Sequence, residues 1–355
     1  MTGGAVATIL LALCAVPGAL AQTVKIGVLG LYHPREITLS AAKGEAIVVT
    51  AGENVIVLDP GAHTQIARIQ VAADGLLLEF GGQLVHANEI LAGGRNTRSA
   101  SFLLGIPGGI TRKYQGTLDI KAIGGTVVPI VTMDLETAVA SVVAAETASD
   151  TPQEALKAQA VVARSYFVAG KGRHHDFDFC DLAHCQILRE PPSLESPGSV
   201  AALATRGMVI AFDEKPIAAM FTRSCGGHTR TPAELGISFN SYPYYSVVCD
   251  ACYKSPTRWT RRISEQDAAR LLGKGEAGRL AVDRRLGWNT VPSNNFTVRK
   301  GDGEIILEGT GQGHGIGLCQ RGAKAMAEGG ANSREIISHY FPNTVLSSVD
   351  TSTAF

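Results

Sequence analysis

The 355-residue chain carries 32 basic and 32 acidic side chains, so its formal net charge is zero. With 45% hydrophobic and only 18% charged residues, it has the apolar surface for a sizeable core and too little charge for a disordered chain. Balanced charge without a Lys/Arg run argues against a nucleic-acid binder that neutralises phosphates, and the 40 glycines follow no collagen period. Length alone suggests about two domains.

Residues 1–21 read as an export signal. The apolar run VATILLALCAV (6–16) leads through Pro17 to a small-residue site, Ala19-Leu20-Ala21, which predicts cleavage after Ala21. The run is shorter than the roughly 20 residues that spanning needs, and no later stretch is long and apolar enough. The mature chain is therefore expected in the periplasm or outside the cell, without a membrane span.

Residues 22–119 look strand-rich. Short apolar runs at 24–29, 46–50, 54–58 and 75–80 are broken by glycine or proline turns, and 67–71 alternates apolar with polar. His33, His63 and His86 are scattered and form no cluster, so this part reads as a β-rich accessory domain. Helical periodicity starts after Asp119. The expected fold is α+β, a mixed α/β domain over 120–346 behind the β-rich domain, with 347–355 as a C-terminal tail.

Leu135, Val139, Val142 and Val143 form an apolar stripe at helical spacing, and Glu146 lies four residues beyond Val142 on the same face. A second helix is expected through EALKAQAVVARSYFVA (154–169), with Thr151 as N-cap, Pro152 in the first turn, Glu154 completing a capping box and Gly170 as the stop. A carboxylate on an apolar face at a helix end loses hydration, which raises its pKa and suits it to donate a proton near neutral pH. No partner carboxylate stands at an obvious spacing from Glu146, because Asp134 and Glu136 lie ten or more residues earlier. An ordinary two-carboxylate glycosidase is thereby disfavoured.

The stretch RHHDFDFCDLAHCQ (173–186) concentrates His174, His175, Cys180, His184 and Cys185. Two imidazoles and two thiolates match the ligand set of a closed, structural tetrahedral zinc site; a Cys180–Cys185 disulfide with solvated histidines fits the same residues. Without Cys14 six cysteines remain, adding Cys225, Cys249, Cys252 and Cys319. If the first pair binds metal, Cys225 can pair with Cys249 or Cys252; Cys249-x-x-Cys252 also has the spacing of a redox couple, but no thioredoxin-like pattern surrounds it. Two glycine-rich stretches follow, FTRSCGGHT (221–229) and GQGHGIGLCQRGA (311–323). The second lacks dinucleotide and P-loop spacing and suits a tight loop delivering His314 to a cleft ahead of a helix over 318–328.

The segments DLETAVASVVAAE (134–146), EALKAQAVVARSYF (154–167), FCDLAHCQ (179–186), SCGGHT (224–229) and GHGIGLCQRGA (313–323), in this order, resemble the stage II sporulation protein D and amidase-enhancer family of bacterial cell-wall proteins. The likeness covers about residues 112 to 346. It implies a lytic transglycosylase that cleaves between N-acetylmuramic acid and N-acetylglucosamine in peptidoglycan, preferring strands stripped of peptide. Glu146 then falls on the catalytic glutamate, acting first as acid and then as base while the sugar's own C6 hydroxyl attacks to leave a 1,6-anhydro end. The resemblance further implies zinc on Cys180, His184 and Cys185 with His174 (preferred) or His175 as the fourth ligand, and a sugar cleft lined by Gln159, Arg164, Tyr166, His314 and Gln320. A cell-wall amidase is the implied partner of a second, non-catalytic class, a glycan-binding module that stimulates it. The chain departs from the family pattern at Thr147, usually methionine; at Cys319 and Arg321, usually serine and tyrosine; and at Arg223, where a smaller residue is common.

Overall fold

A computed structural model describes residues 22–61, 65–235, 246–266, 268, 287–301 and 303–349. The expected export signal at residues 1–21, His63 and most of the tail expected at 347–355 lie outside the described residues. The fold is α+β.

A twelve-stranded sheet runs in the order Phe179–Cys180, Thr23–Gly27, Thr126–Asp134, Thr111–Ile123, Ala100–Gly105, Glu36–Ala41, Ile66–Ala72, Gly75–Phe80, Gln83–Ala87, with Ile47–Ala51, Asn54–Leu58 and Glu89–Gly93 paired off this path. Alternate residues of Glu36–Ala41 and Ile47–Ala51 are buried, as period-two side chains on a half-covered sheet must be. The boundary expected at residue 119 falls inside the strand Thr111–Ile123, which pairs along 117–123 with Thr126–Asp134 and along 111–116 with Ala100–Gly105. The first strand, Thr23–Gly27, is antiparallel to Thr126–Asp134 from Thr23 opposite Asp134 to Gly27 opposite Ile130. The β-rich region and the start of the helical region thus share one sheet.

Asp134 ends that sheet and caps helix α1 (Leu135–Glu146), its carboxylate accepting from the Thr137 amide at 3.0 Å. The predicted stripe Leu135, Val139, Val142 and Val143 is buried. Helix α2 (Gln153–Ala169) begins after Pro152 and stops at Gly170, whose amide donates to the Tyr166 carbonyl at 2.9 Å. The expected Thr151 cap and its capping box are not formed: Pro152 occupies the N-cap position, without a side-chain cap bond. Glu154 instead accepts from the Ser333 amide at 2.8 Å and pairs with Lys157, so a long-range contact takes its carboxylate from the helix start.

Helix α2 is apolar nearly all round because it stands between two cores. Leu156, Ala160, Ala163 and Phe167 pack with the sheet, α1 and helix α3 (Pro197–Ala204). Ala155, Ala158, Val161 and Val162 face a second core. Helix α4 (Asp250–Lys254), helix α5 (Gln320–Glu328) and helix α6 (Ser333–Tyr340) contribute Cys252, Ala323, Ile336, Ile337 and Tyr340 to that core. The helix predicted over 318–328 starts at Gln320, because Leu318–Cys319 pairs as a short parallel strand with Phe221–Thr222. A three-stranded sheet of Arg258–Ser264, Glu304–Thr310 and Phe296–Lys300 carries a small third core around Trp259, Phe296 and Leu307. Among the described residues, no helix is long and apolar enough to cross a membrane.

Candidate active site and metal-ligand cluster

Glu146 is the last residue of α1 and stands on the wall of a cleft of about 240 Å³. Its Oε1 accepts from the Ile187 amide at 2.9 Å. Partial burial pushes its carboxyl above the usual carboxylate range, while the Ile187 amide and the charges of Arg223 and Arg189 pull it back in part. Among the described residues, Glu146 is the only carboxylate lining this cleft.

Opposite it stand residues from α2, the 221–229 stretch and α5. Gln320 Nε2 donates to the Glu146 backbone carbonyl at 3.2 Å and reaches Gln159 Oε1 at 3.5 Å. Gln159 is buried, lines the cleft, and its Nε2 has no hydrogen-bond partner. Thr151, Arg223, Ser224, Gln312, Arg321 and Lys324 add polar and positive groups to a wall whose remaining surface is apolar, from Ala148, Ala155, Leu318 and Ala323.

Three expected cleft residues are elsewhere. Arg164 is fully buried, and its guanidinium forms a two-pronged pair with Glu136 at 2.8 and 2.5 Å and donates to the Ala202 and Met208 carbonyls. It ties α2 to α1 and α3, because a buried cation needs all its donors satisfied. Tyr166 is buried against Phe179, with ring centroids 5.6 Å apart, and faces the cysteine-histidine cluster. His314 does not line the cleft; its Nδ1 accepts from the Ile316 amide at 3.0 Å within the glycine loop. Gly311, Gly313, Gly315 and Gly317 all have positive φ, which the loop that carries Gln312 to the cleft needs; Gln320 reaches it from the first residue of α5. Arg223 and Arg321 were visible in the sequence as departures from the family pattern; the Ile187 amide left no signal there.

The cysteine-histidine cluster lies just upstream of Ile187. The strand Phe179–Cys180 runs parallel to Thr23–Gly27 and positions Cys180. His174 Nε2 lies 3.4 Å from Cys185 Sγ, and His184 Nδ1 lies 3.8 Å from Cys180 Sγ and 3.6 Å from Cys185 Sγ. All four donor atoms lie within 4.8 Å of one another. His175 points away, with its side chain 97% exposed beside Asp176. The His174 ring stacks on Phe177 at 4.5 Å, and Phe177 sits over Gly27, where a Cβ would collide with the ring. Cys180 and Cys185 are free thiols, and a hydrogen bond from Cys180 lowers the Cys185 thiol to about 6. In a tetrahedral site with zinc–sulfur and zinc–nitrogen bonds of about 2.3 and 2.0 Å, nitrogen and sulfur stand about 3.6 Å apart. The donor set and its spans suit such an ion.

These features define a protein with one acid in a cleft of mixed polar and apolar lining and a separate cysteine-histidine cluster, and residues 124–212, which hold Glu146 and the cluster, match the model of the stage II sporulation protein family. The likeness read from the motifs to the stage II sporulation protein D and amidase-enhancer family therefore stands. An uncharacterized protein of Brachyspira hyodysenteriae is 26% identical over 333 residues, covering 84% of this chain and 83% of that one. The stage II sporulation protein D of Bacillus amyloliquefaciens is 27% identical over 263 residues, 61% of this chain and 75% of that one. The amidase enhancer of Bacillus subtilis is 24% identical over 275 residues, 55% of this chain but 38% of the enhancer.

Proposed function

We propose that the chain is an exported peptidoglycan lytic transglycosylase that cuts peptide-stripped glycan strands between N-acetylmuramic acid and N-acetylglucosamine. The family likeness supports a cell-wall-related role, and Glu146 carries the finer reading. It is the sole carboxylate of the cleft among the described residues, and burial favours its protonated form. Hydrolysis by paired carboxylates needs a second one about 5 to 9.5 Å away; a lytic transglycosylase does not.

In this reaction the Glu146 carboxyl donates its proton to the glycosidic oxygen as the C1–O bond breaks with oxocarbenium character. The resulting carboxylate then accepts the proton of the muramic C6 hydroxyl while that oxygen bonds to C1. Glu146 returns to its acid form, no water is consumed, and the muramic end is left as a 1,6-anhydro sugar. Gln320 and the Ile187 amide hold Glu146 from both sides, and Gln159, buried on the cleft wall, stands with its Oε1 3.5 Å from Gln320 Nε2. Removal of the peptide stem frees the lactyl carboxylate of muramic acid, and Arg223 and Arg321 on the cleft wall offer it cations. This charge match favours stripped strands.

His174, Cys180, His184 and Cys185 would hold a zinc ion. Four protein ligands leave no open position, so its part is structural. It would fix the loop whose Ile187 amide, two residues past Cys185, holds Glu146.

Digestion of purified stripped strands by the wild type and by Glu146→Gln, with products read by mass spectrometry, tests the proposal. Anhydro-muramic ends from the wild type alone are expected. Reducing ends would mean hydrolysis instead. Strand binding by both proteins without cleavage would favour the module that stimulates an amidase, a reading to which the amidase-enhancer likeness points.

A further inference from the structure

Four cysteines that are far apart in the sequence converge in the second core. Cys225 follows the strand Phe221–Thr222, Cys249 precedes α4 and Cys252 lies in it, and Cys319 caps α5. All four are buried free thiols, and their sulfurs lie within 4.8 Å of one another. Cys252 and Cys319 sulfurs are 3.6 Å apart. A disulfide places its sulfurs about 2 Å apart, whereas the edge of a tetrahedron with zinc–sulfur bonds of about 2.3 Å is about 3.8 Å.

The surroundings suit thiolates. The Cys225 and Gly322 amides each donate to Cys319 Sγ at 3.4 Å, the Tyr340 hydroxyl donates to Cys249 Sγ at 3.3 Å, and Ser224 Oγ lies 3.4 Å from Cys252 Sγ. Such outer partners orient sulfur ligands and spread their charge. The amino end of α5, nine residues long, meets the cluster at Cys319 and opposes the net negative charge of four thiolates around a dication. Gly322 is obligatory there, since a Cβ would collide with the Tyr340 hydroxyl and Cys249 Sγ. Cys249-x-x-Cys252 has the short ligand spacing of structural zinc sites.

We propose that Cys225, Cys249, Cys252 and Cys319 form a second metal site, a closed four-thiolate zinc centre separate from the cysteine-histidine cluster. Its ligands sit next to the far wall of the cleft: Arg223 and Ser224 precede Cys225, and Gln320 and Arg321 follow Cys319. The centre ties the 221–229 stretch, α4 and α5 into one rigid wall facing Glu146. The site needs no glycan cleavage for its definition, so it stands or falls independently of the proposed activity.

The test is zinc content and thiol state of the purified full chain, prepared without chelator or reductant. The wild type, Cys180→Ser/Cys185→Ser and Cys249→Ser/Cys252→Ser are compared by elemental analysis. The last variant is expected to hold one zinc per chain fewer than the wild type, and the Cys180→Ser/Cys185→Ser variant is expected to keep the ion of the four-thiolate centre. All four core cysteines of the wild type should alkylate on denaturation with chelator and no reductant. If the Cys249→Ser/Cys252→Ser variant does not fold, cobalt loaded into the Cys180→Ser/Cys185→Ser variant decides; intense thiolate-to-cobalt absorption is expected. Alkylation of these cysteines only after reduction, zinc lost solely with Cys180 and Cys185, or iron in place of zinc would each overturn the assignment.

Discussion

The two ends of helix α1 each carry a glutamate that folding draws away from water, and they are treated in opposite ways. Glu136, in the first turn, meets the two-pronged guanidinium of Arg164 and also accepts from the Gly207 amide at 3.2 Å. Its charge is fully matched, and the pair serves packing. Glu146, at the last residue, receives one amide hydrogen bond, and its partial burial raises its pKa. The same helix thus holds a neutralised structural carboxylate and an incompletely matched one facing a cleft. Incomplete matching is what makes a carboxyl chemically available.

Exchange of each residue should separate the two roles. Glu146→Gln is expected to lower glycan cleavage by about 10²- to 10⁴-fold, the usual worth of a general acid-base group, while thermal unfolding stays cooperative. Its stability effect has a defined sign. A folded-state pKa above the unfolded value contributes stability below the unfolded pKa that is lost as pH rises through the folded one. The melting temperature of Glu146→Gln relative to the wild type should therefore climb as pH rises from the ordinary glutamate pKa of about 4.3 through the raised folded-state value, and level off above it.

Arg164→Met strands Glu136 and is expected to cost about 3 to 5 kcal/mol in denaturant unfolding, since one partner of a buried pair is left uncompensated. Cleavage per folded molecule should change little, a result that a cleft role for Arg164 would not allow. Cys180→Ser should lower zinc content and also cleavage, by up to about 10²-fold, because the loop bearing the Ile187 amide loosens and a misplacement of about 1 Å has that cost. Asp134→Ala removes the α1 cap and should lower stability by about 1 kcal/mol without moving the pH profile. Arg223→Met removes a cation that favours ionised Glu146, so the alkaline limb of kcat/KM should move upward by less than about one pH unit.

Legibility in the sequence followed the range of the interactions. The ends of α1 at Glu146 and of α2 at Gly170, the stripe that buries Val139 and Val142, and the clustering of His174 with Cys180, His184 and Cys185 depend on neighbours a few residues away and could be read directly. Arg164 could not be placed, because its role depends on Glu136 and on carbonyls at Ala202 and Met208, residues whose proximity only the packing of three helices creates. Glu154 had the spacing of a capping box, yet a competing amide at Ser333 won its carboxylate. The boundary at residue 119 failed for a similar reason: a change of periodicity marks where helices begin, and a strand can run straight through it. Only the Cys249-x-x-Cys252 pair left a local spacing signal; the convergence of Cys225 and Cys319 on it was present only as a count of cysteines, since their distance along the chain carries no trace of their distance in space.

Helix α2 has a consequence for how the molecule comes apart. Its two faces belong to different cores, so neither the sheet side nor the side around α5 and α6 can release its apolar surface without uncovering α2 for the other. The two regions should accordingly melt as one cooperative unit, with a single transition by every probe. In native-state hydrogen exchange, the amides of Val161, Val162 and Ala163 should be among the last to exchange and should report the global unfolding free energy.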